Sequence, residues 1–305
     1  MTATTDRAAP ICPVCGSTEH EVYFKGVDTE LTAAAVGQSR SQLHPGTILR
    51  CRQCGLGYQA KRPTSEALAA LYGAQDVGTY LAEEAGRKWT AQKHWRLVEA
   101  LHSGGHVLDV GSASGLFLEQ ACLAGWQVTG VEPSQKLCEQ AEQRVGGAAR
   151  VFCGTLESLE IAPDTFDVIT LWDVLEHATE PRDFMGRCAR VLKPGGTLVL
   201  NVPQIDSAMS RLLGKRWPLL LPEHFAYFTK DSLTRCGAAA GLNVLRFDWR
   251  PAAFSLGHVF NRLAEHGVPL AGRVERAVRG MGLGDWVLPV PLGEIVAVYQ
   301  KPRSS

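Results

Sequence analysis

The stretch that most constrains this chain is Val107-Leu-Asp-Val-Gly-Ser-Ala-Ser-Gly-Leu-Phe-Leu118. Val107 to Val110 reads as a short buried strand, Gly111 to Gly115 as a tight turn of small residues, and Leu116 onward as a helix. A strand that feeds a helix N-terminus through such a turn lets backbone N–H groups come close to a ligand. The same rhythm continues downstream. Strand patterns fall at Trp126–Val131, Ala149–Cys153, Phe166–Trp172 and Thr197–Asn201, with helical patterns at Ser134–Arg144 and Pro181–Leu192. Asn243–Trp249 and Glu294–Gln300 read as a last, antiparallel pair. Such an alternation predicts an α/β fold, a doubly wound and mostly parallel seven-stranded sheet with ligands at the strands' carboxyl ends.

Ahead of this core stand two cysteine knuckles, Cys12-Pro-Val-Cys15 and Cys51-Arg-Gln-Cys54, each followed by glycine. Two such turns supply four thiolates in a tetrahedron, the arrangement Zn²⁺ takes in closed structural sites. Cys12, Cys15, Cys51 and Cys54 are therefore expected to hold a structural zinc ion. With no open coordination position, it would staple the fold and take no part in catalysis. Strand-like pieces lie at Glu21–Phe24 and Thr47–Arg50, and an excursive loop is expected around Thr32–Pro45. The other cysteines, at 122, 138, 153, 188 and 236, are scattered singly and read as small buried apolar residues. An odd total of nine suits a reducing compartment.

Lys+Arg and Asp+Glu balance at 31 each, so no net field draws the chain to nucleic acid or an anionic membrane. No stretch approaches the roughly 18 apolar residues of a membrane span. A cytoplasmic protein with a small-molecule substrate is expected, and a second copy of the chain is the partner it would take. The organisation read from the sequence is a zinc ribbon over 1–62, linking or lid helices over 63–104, and the α/β domain over 105–305. Within the last, Pro203–Leu221 reads as an irregular lid, and a helix starting in Pro222–Leu233 runs to Ala240. A helical insert over 254–281 has no role the sequence assigns.

Glu132 closes the second core strand, where an acidic side chain can accept hydrogen bonds from two ribose hydroxyls. Together with the turn it points to an adenosine-containing cofactor. The turn Gly111-Ser-Ala-Ser-Gly115 lacks the G-x-G-x-x-G pattern that admits a pyrophosphate.

Val107–Gly115 resembles motif I of the class I S-adenosylmethionine-dependent methyltransferases, with Ala113 in place of the middle glycine. Glu132 matches that family's ribose-binding acid, Thr165–Ile169 with Asp173–His177 its fourth strand and following turn, and Leu192–Leu200 the entry to its fifth strand. The resemblance implies a Rossmann-like sheet and S-adenosylmethionine as cofactor, held by Asp109, Gly111, Ser112, Ala113, Gly115 and Glu132. Thr155, Leu156 and Trp172 would lie by the adenine.

Methyl transfer to a hydroxyl needs the acceptor aligned and partly deprotonated, and histidine is the natural base near neutral pH. His177 and His224, the latter beside Glu223, lie on segments that should face the cofactor's methyl group. The ribbon, the core and the Glu-His pair together resemble the zinc-ribbon sugar methyltransferases. That resemblance implies that Tyr80, His177, Glu223 and His224 surround the acceptor. The core also resembles quinone-precursor O-methyltransferases, in which an acidic-x-x-Glu-His stretch can hold a divalent ion, here Asp173, Glu176 and His177. The leading expectation is methyl transfer to a hydroxyl of a sugar, polysaccharide unit or secondary metabolite. A sugar C-methyltransferase, an RNA base methyltransferase and a non-catalytic cofactor-binding module remain as alternatives. A ribbon with few basic residues speaks against RNA.

Overall fold

A computed structural model describes residues 10–26, 45–64, 67–68, 70–71, 78, 83–265 and 269–303. The ribbon contributes β1 (His20–Phe24), β2 (Ile48–Cys51) and β3 (Gly57–Gln59), and helix α1 (Glu84–Glu99) leads into the core. The core runs β4 (His106–Val110), α2 (Leu116–Leu123), β5 (Gln127–Glu132), α3 (Gln135–Val145), β6 (Arg150–Cys153), β7 (Phe166–Trp172), α4 (Pro181–Val191) and β8 (Leu192–Pro203). Then follow α5 (Ala208–Leu213), β9 (Ala226–Tyr227), α6 (Lys230–Ala239), β10 (Asn243–Trp249), β11 (Ala252–Ser255), α7 (Leu256–Glu265), α8 (Ala271–Gly280), β12 (Val287–Val290) and β13 (Glu294–Gln300).

Seven strands form one sheet in the order β10-β13-β8-β7-β4-β5-β6. The five from β4 to β8 are parallel, and β13 runs antiparallel to both its neighbours. Helices cover both faces, so the central strands are apolar nearly throughout: Val107, Leu108, Val168, Ile169 and Leu171 are all fully buried. The chain steps outward from β4 through β5 to β6, then returns to place β7 on the other side of β4. That reversal opens a crevice at the carboxyl ends of β4 and β7, where ligands of such sheets bind. The expected seven-stranded α/β architecture is the one observed.

The ribbon is not a bead on a string. Its sheet has the order β1-β2-β3-β9, and β9 belongs to the core chain. Gly57 pairs with Tyr227 and Tyr58 with Ala226. Gln59, buried at the end of β3, donates from Nε2 to the carbonyls of Pro222 (2.8 Å) and His224 (2.9 Å). The Thr229 hydroxyl donates to the Cys54 carbonyl (3.0 Å), tying the second knuckle to the start of α6.

Two expectations need correction. Cys138 and Cys153 are not isolated apolar residues but a bonded pair, with Cα atoms 5.6 Å apart. Helix α3 lies over β6, which brings a helix position and a strand end together across 15 residues of chain. Pro203–Leu221 is not wholly irregular, because Ser207 caps α5 by accepting from the Ser210 N–H (3.1 Å). The next helix starts at Lys230, within the expected stretch, where Thr229 and Ser232 form a reciprocal capping box; the residues before it form β9 and its approach. The insert is helical as expected, through α7 and α8, but the strand pair β11–β12 frames it. The anticipated loop around Thr32–Pro45 lies almost wholly outside the described residues, as does Tyr80. No described helix is long and apolar enough to cross a membrane.

Replacing Gln59 by Leu leaves the Pro222 and His224 carbonyls without their buried donor. The expected cost is about 2–6 kcal/mol, from two groups at roughly 1–3 kcal/mol each, and chemical denaturation reads it directly. A change below about 0.5 kcal/mol would mean that water replaces the amide and the ribbon does not brace this loop.

Candidate active site

The turn after β4 is built on left-handed backbone. Gly111 (φ 78°), Ala113 (φ 47°) and Gly115 (φ 79°) all lie there. An alanine in this conformation costs on the order of 1 kcal/mol, and the structure shows what holds it. The Ala113 N–H donates to Glu132 Oε2 (2.9 Å), while Glu132 Oε1 accepts from the Ser134 N–H (2.8 Å). The ribose-binding candidate thus also clamps the turn from the end of β5. Each carboxylate oxygen keeps acceptor capacity for a further donor. Burial pushes Glu132 up to about 7 against these two N–H donors. Asp109 is likewise pushed to about 7 by burial, opposed by the Thr170 hydroxyl at 2.6 Å.

A cavity of about 650 Å³ extends from this turn across the crevice. Asp109, Gly111, Ser112, Ala113, Glu132, Thr155, Leu156 and Trp172 all line it, so the expected cofactor residues meet around one space. Gly115 sits just behind, where a Cβ would come within 2.9 Å of the Ala141 Cα on α3. Trp172 faces α1: its ring stacks on His94 at 3.7 Å, 10° from parallel, and its Nε1 has no hydrogen-bond acceptor.

The other half of the cavity has a floor of oxygen. Asp173 just past the end of β7, Asn201 on β8 and Glu294 at the start of β13 all line the cavity. Asn201 Nδ2 donates to Asp173 Oδ1 (2.6 Å), leaving the buried Asn201 Oδ1 without a donor. Desolvation raises Asp173, and raises Glu294 and the neighbouring Glu176 well above the usual carboxylate range, the mutual repulsion with Asp173 adding to both.

His177 and His224 meet at the cavity's edge, their rings 4.8 Å apart and nearly perpendicular. His177 Nδ1 lies 2.9 Å from the Glu223 carbonyl and His224 Nδ1 2.9 Å from the Leu219 carbonyl. A carbonyl only accepts, so each Nδ1 carries the proton and each Nε2 keeps its lone pair. Glu223 thus serves the pair through its main chain. Burial pulls His177 down to about 4 and His224 well below its usual range, the latter further through its neighbour His177. Both rings are neutral at pH 7. Glu176, 1% exposed and with Oε2 unpartnered, brings a carboxylate oxygen within 4.8 Å of both imidazoles. The trio that could hold a cation is therefore Glu176, His177 and His224, with His224 in the place the sequence suggested for Asp173.

In the ribbon, the four sulfurs of Cys12, Cys15, Cys51 and Cys54 lie within 4.8 Å of one another, as the knuckle spacing predicts. Cys12 and Cys54 are 3.6 Å apart and Cys15 and Cys51 3.5 Å. Soft, closely grouped sulfur ligands fit Zn²⁺.

Sequence reasoning missed Gln59, Asn201, Glu294, His94 and Arg87. The last two share a face of α1 and line the cavity. A buried glutamine and an asparagine inside apolar strands were the only written signals.

The family described as "Methyltransferase domain" matches residues 81–246, more than half of the chain. The chain belongs to that family. It is 34% identical over 126 residues to a ubiquinone biosynthesis O-methyltransferase of Bradyrhizobium sp. (strain ORS 278), covering 40% of this chain and 48% of that one. A ubiquinone biosynthesis O-methyltransferase of Coxiella burnetii is 32% identical over 152 residues, 47% of this chain and 65% of that one. The chain thus spans about half to two thirds of the curated relatives it matches. Among solved structures, the cyclase SpnF superposes with a TM-score of 0.49 at 23% identity, over 70% of this chain and 82% of that one.

With the cofactor class in hand, Glu132→Ala becomes informative. It removes the brace on Ala113 and the two oxygens expected to accept from a ribose, and S-adenosylhomocysteine affinity is expected to fall about 100-fold, or about 2.7 kcal/mol, by calorimetry. An unchanged affinity would take Glu132 out of the cofactor site.

Proposed function

We propose that this protein transfers the methyl group of S-adenosylmethionine to a hydroxyl of a small-molecule acceptor, a sugar, polysaccharide unit or secondary metabolite, with the His177–His224 pair as proton acceptor. The observation that carries this reading is the matched tautomer of the pair, two neutral imidazoles that line the cavity with each Nδ1 on a main-chain carbonyl and each Nε2 as the proton-accepting nitrogen. An oxygen acceptor agrees with the relatives, which are named as O-methyltransferases.

The step is an in-line displacement. The acceptor oxygen forms a bond to the methyl carbon, the carbon–sulfur bond breaks with its electron pair going to sulfur, and the hydroxyl proton passes to an Nε2. The glycine-containing turn and Glu132 fix the cofactor's position. The oxygen floor of Asp173, Asn201 and Glu294 accepts from the acceptor's other hydroxyls, holding it near the attack line. Alignment of this kind contributes much of the rate, and positioned proton transfer typically about 10²–10⁴-fold.

A second reading has one observation in its favour, the buried and unpartnered Glu176 Oε2 beside both imidazoles. Glu176, His177 and His224 would hold a divalent cation, which would lower the pKa of a bound hydroxyl. Dialysis against a chelator separates the two readings: activity that survives metal removal belongs to the histidines as bases.

Incubation with methyl-labelled S-adenosylmethionine and fractionated cell extract, followed by mass spectrometry, tests the activity and gives the acceptor. Binding of S-adenosylhomocysteine with no labelled product in any fraction would favour a cofactor-binding module, and labelled RNA would move the acceptor class. His177→Ala and His224→Ala should each lower kcat by about 100-fold or more. The pH profile carries a sign. The active form of each ring is neutral, and burial extends that form to lower pH. The acid limb of kcat/KM is therefore expected nearer to 4, the value to which His177 is pulled, than to the 6.5 of a free imidazole. A limb at 6.5 that vanishes in neither variant would exclude the pair.

The ribbon cysteines are assigned to one structural zinc ion. Elemental analysis should give one zinc per chain. Cys51→Ser should lose the metal together with the β3–β9 pairing, lowering the melting temperature and kcat together. A zinc-free protein with unchanged stability would sink the assignment.

A further inference from the structure

The insert between β10 and β13 has no role in the core's topology, yet it is anchored with care. Glu83, 4% exposed at the foot of α1, accepts from the Ser255 N–H on Oε1 (2.7 Å) and from the Ser255 hydroxyl on Oε2 (2.9 Å). His258 Nδ1 lies 3.2 Å from the same Oε2. One buried carboxylate thus gathers three donors from the turn where β11 passes into α7. The surface beneath is shaped for the contact. A Cβ on Gly86 would come within 2.7 Å of the Ala253 carbonyl oxygen and 3.2 Å of the Phe254 Cα, so this helix position is cut back to let β11 lie against α1.

What the clamp holds in place is one side of the cavity. Pro251, Ala252, Ala253, Phe254 and His258 line it, with the Phe254 ring stacked on His258 at 13° from parallel. The insert therefore adds an apolar, aromatic face to the cavity.

We propose that Pro251–Phe254 and His258 form the acceptor-facing wall of the cavity, and that Glu83 is the positioning residue that seats them there. The proposal rests on the reading that this side of the cavity receives the acceptor, but its test does not need turnover. Hydrogen–deuterium exchange and diethyl pyrocarbonate labelling are followed on the full chain in complex with S-adenosylhomocysteine. In Glu83→Ala, amides of Ala252–Glu265 should exchange at least 10-fold faster while β4, β7 and β8 keep their protection. Carbethoxylation of His94, His177 and His224, which are neutral and reactive once reached, should rise at least 5-fold, with His20 in the ribbon unchanged as control. S-adenosylhomocysteine affinity should stay within 3-fold of wild type. Glu83→Gln, whose amide oxygen still accepts from Ser255, should recover most of the protection.

Gly86→Ala is a second variant that acts on the same clamp, because an added Cβ would meet Glu83 Oε1 as well as the Ala253 carbonyl oxygen. Alanine is the better helix former, so α1 should hold while the added methyl group pushes β11 away and produces the same local loosening. Unchanged exchange of the insert in both variants overturns the proposal. So does faster insert exchange without increased labelling of the cavity histidines, or loosening that spreads through the core and lowers cofactor affinity in parallel. Absence of a labelled methyl product from every extract fraction would defeat the proposed activity alone, because both readouts above are measured without it. Where a labelled fraction exists, Glu83→Ala should raise the half-saturating amount of that fraction at least 10-fold and leave the KM for S-adenosylmethionine within 3-fold; an unchanged acceptor dependence would likewise overturn the wall.

Discussion

The fork that Gln59 makes with the Pro222 and His224 carbonyls is the joint on which the acceptor side depends. The loop carrying His224 has little regular structure of its own, and a two-residue strand such as β9 does not hold by itself. It holds because β3 pairs with it, because Gln59 saturates two of its carbonyls, and because the Phe225 N–H donates to Glu176 O (2.8 Å). Through that last bond the loop also fixes the turn bearing His177. Four clustered sulfurs far from the chemistry thus act on it through one strand and one amide. This gives the ribbon a role beyond stapling the N-terminus: without a rigid β2–β3 unit, the two imidazoles have no common frame.

A second constraint is electrostatic. The crevice and the turn beside it gather Asp109, Glu132, Asp173, Glu176 and Glu294, and desolvation raises every one of them. Such a concentration of desolvated acceptors is costly unless donors satisfy it. Under the proposed function, a sulfonium cofactor with an ammonium group and two ribose hydroxyls would bring donors and positive charge, and an acceptor rich in hydroxyls would bring further donors. The same low dielectric keeps the histidines neutral, so one physical condition sets the carboxyls ready for donors and the imidazoles ready for protons.

Much of this was legible because local rules and tertiary demands agreed. The run Val107–Gly115 could be read because a strand, a left-handed turn and a helix start each leave their own residues, and Ala113 sits where its family favours glycine because Glu132 pins its N–H. The knuckles could be read because metal geometry writes itself as spacing. Other features were not legible because they depend on partners distant in sequence. Gln59 meets a loop more than 160 residues away. Cys138 and Cys153 looked like isolated apolar residues until α3 was laid over β6. Glu83 and Ser255 carry no pattern that joins them, since the helix that brings them together is defined by its apolar face.

The position of Asn201 shows why the acceptor half is harder to read than the cofactor half. The candidate cofactor site is mostly main chain and one acid at a strand end, and such sites need particular residues at particular backbone conformations. The rest of the cavity is lined by side chains from the turn after β7, from β8, β13 and α1 and from the insert, each an ordinary residue in its own segment. Asn201 follows Leu200 within a buried apolar strand, where a polar residue is costly unless something satisfies it. Its Nδ2 is satisfied by Asp173 and its Oδ1 is not. The amide is thus half satisfied, and its cost falls on the strand at a residue that lines the cavity. A polar residue kept at such a position, in an otherwise apolar run of the strand, answers to the cavity's contents and not to the packing of the sheet.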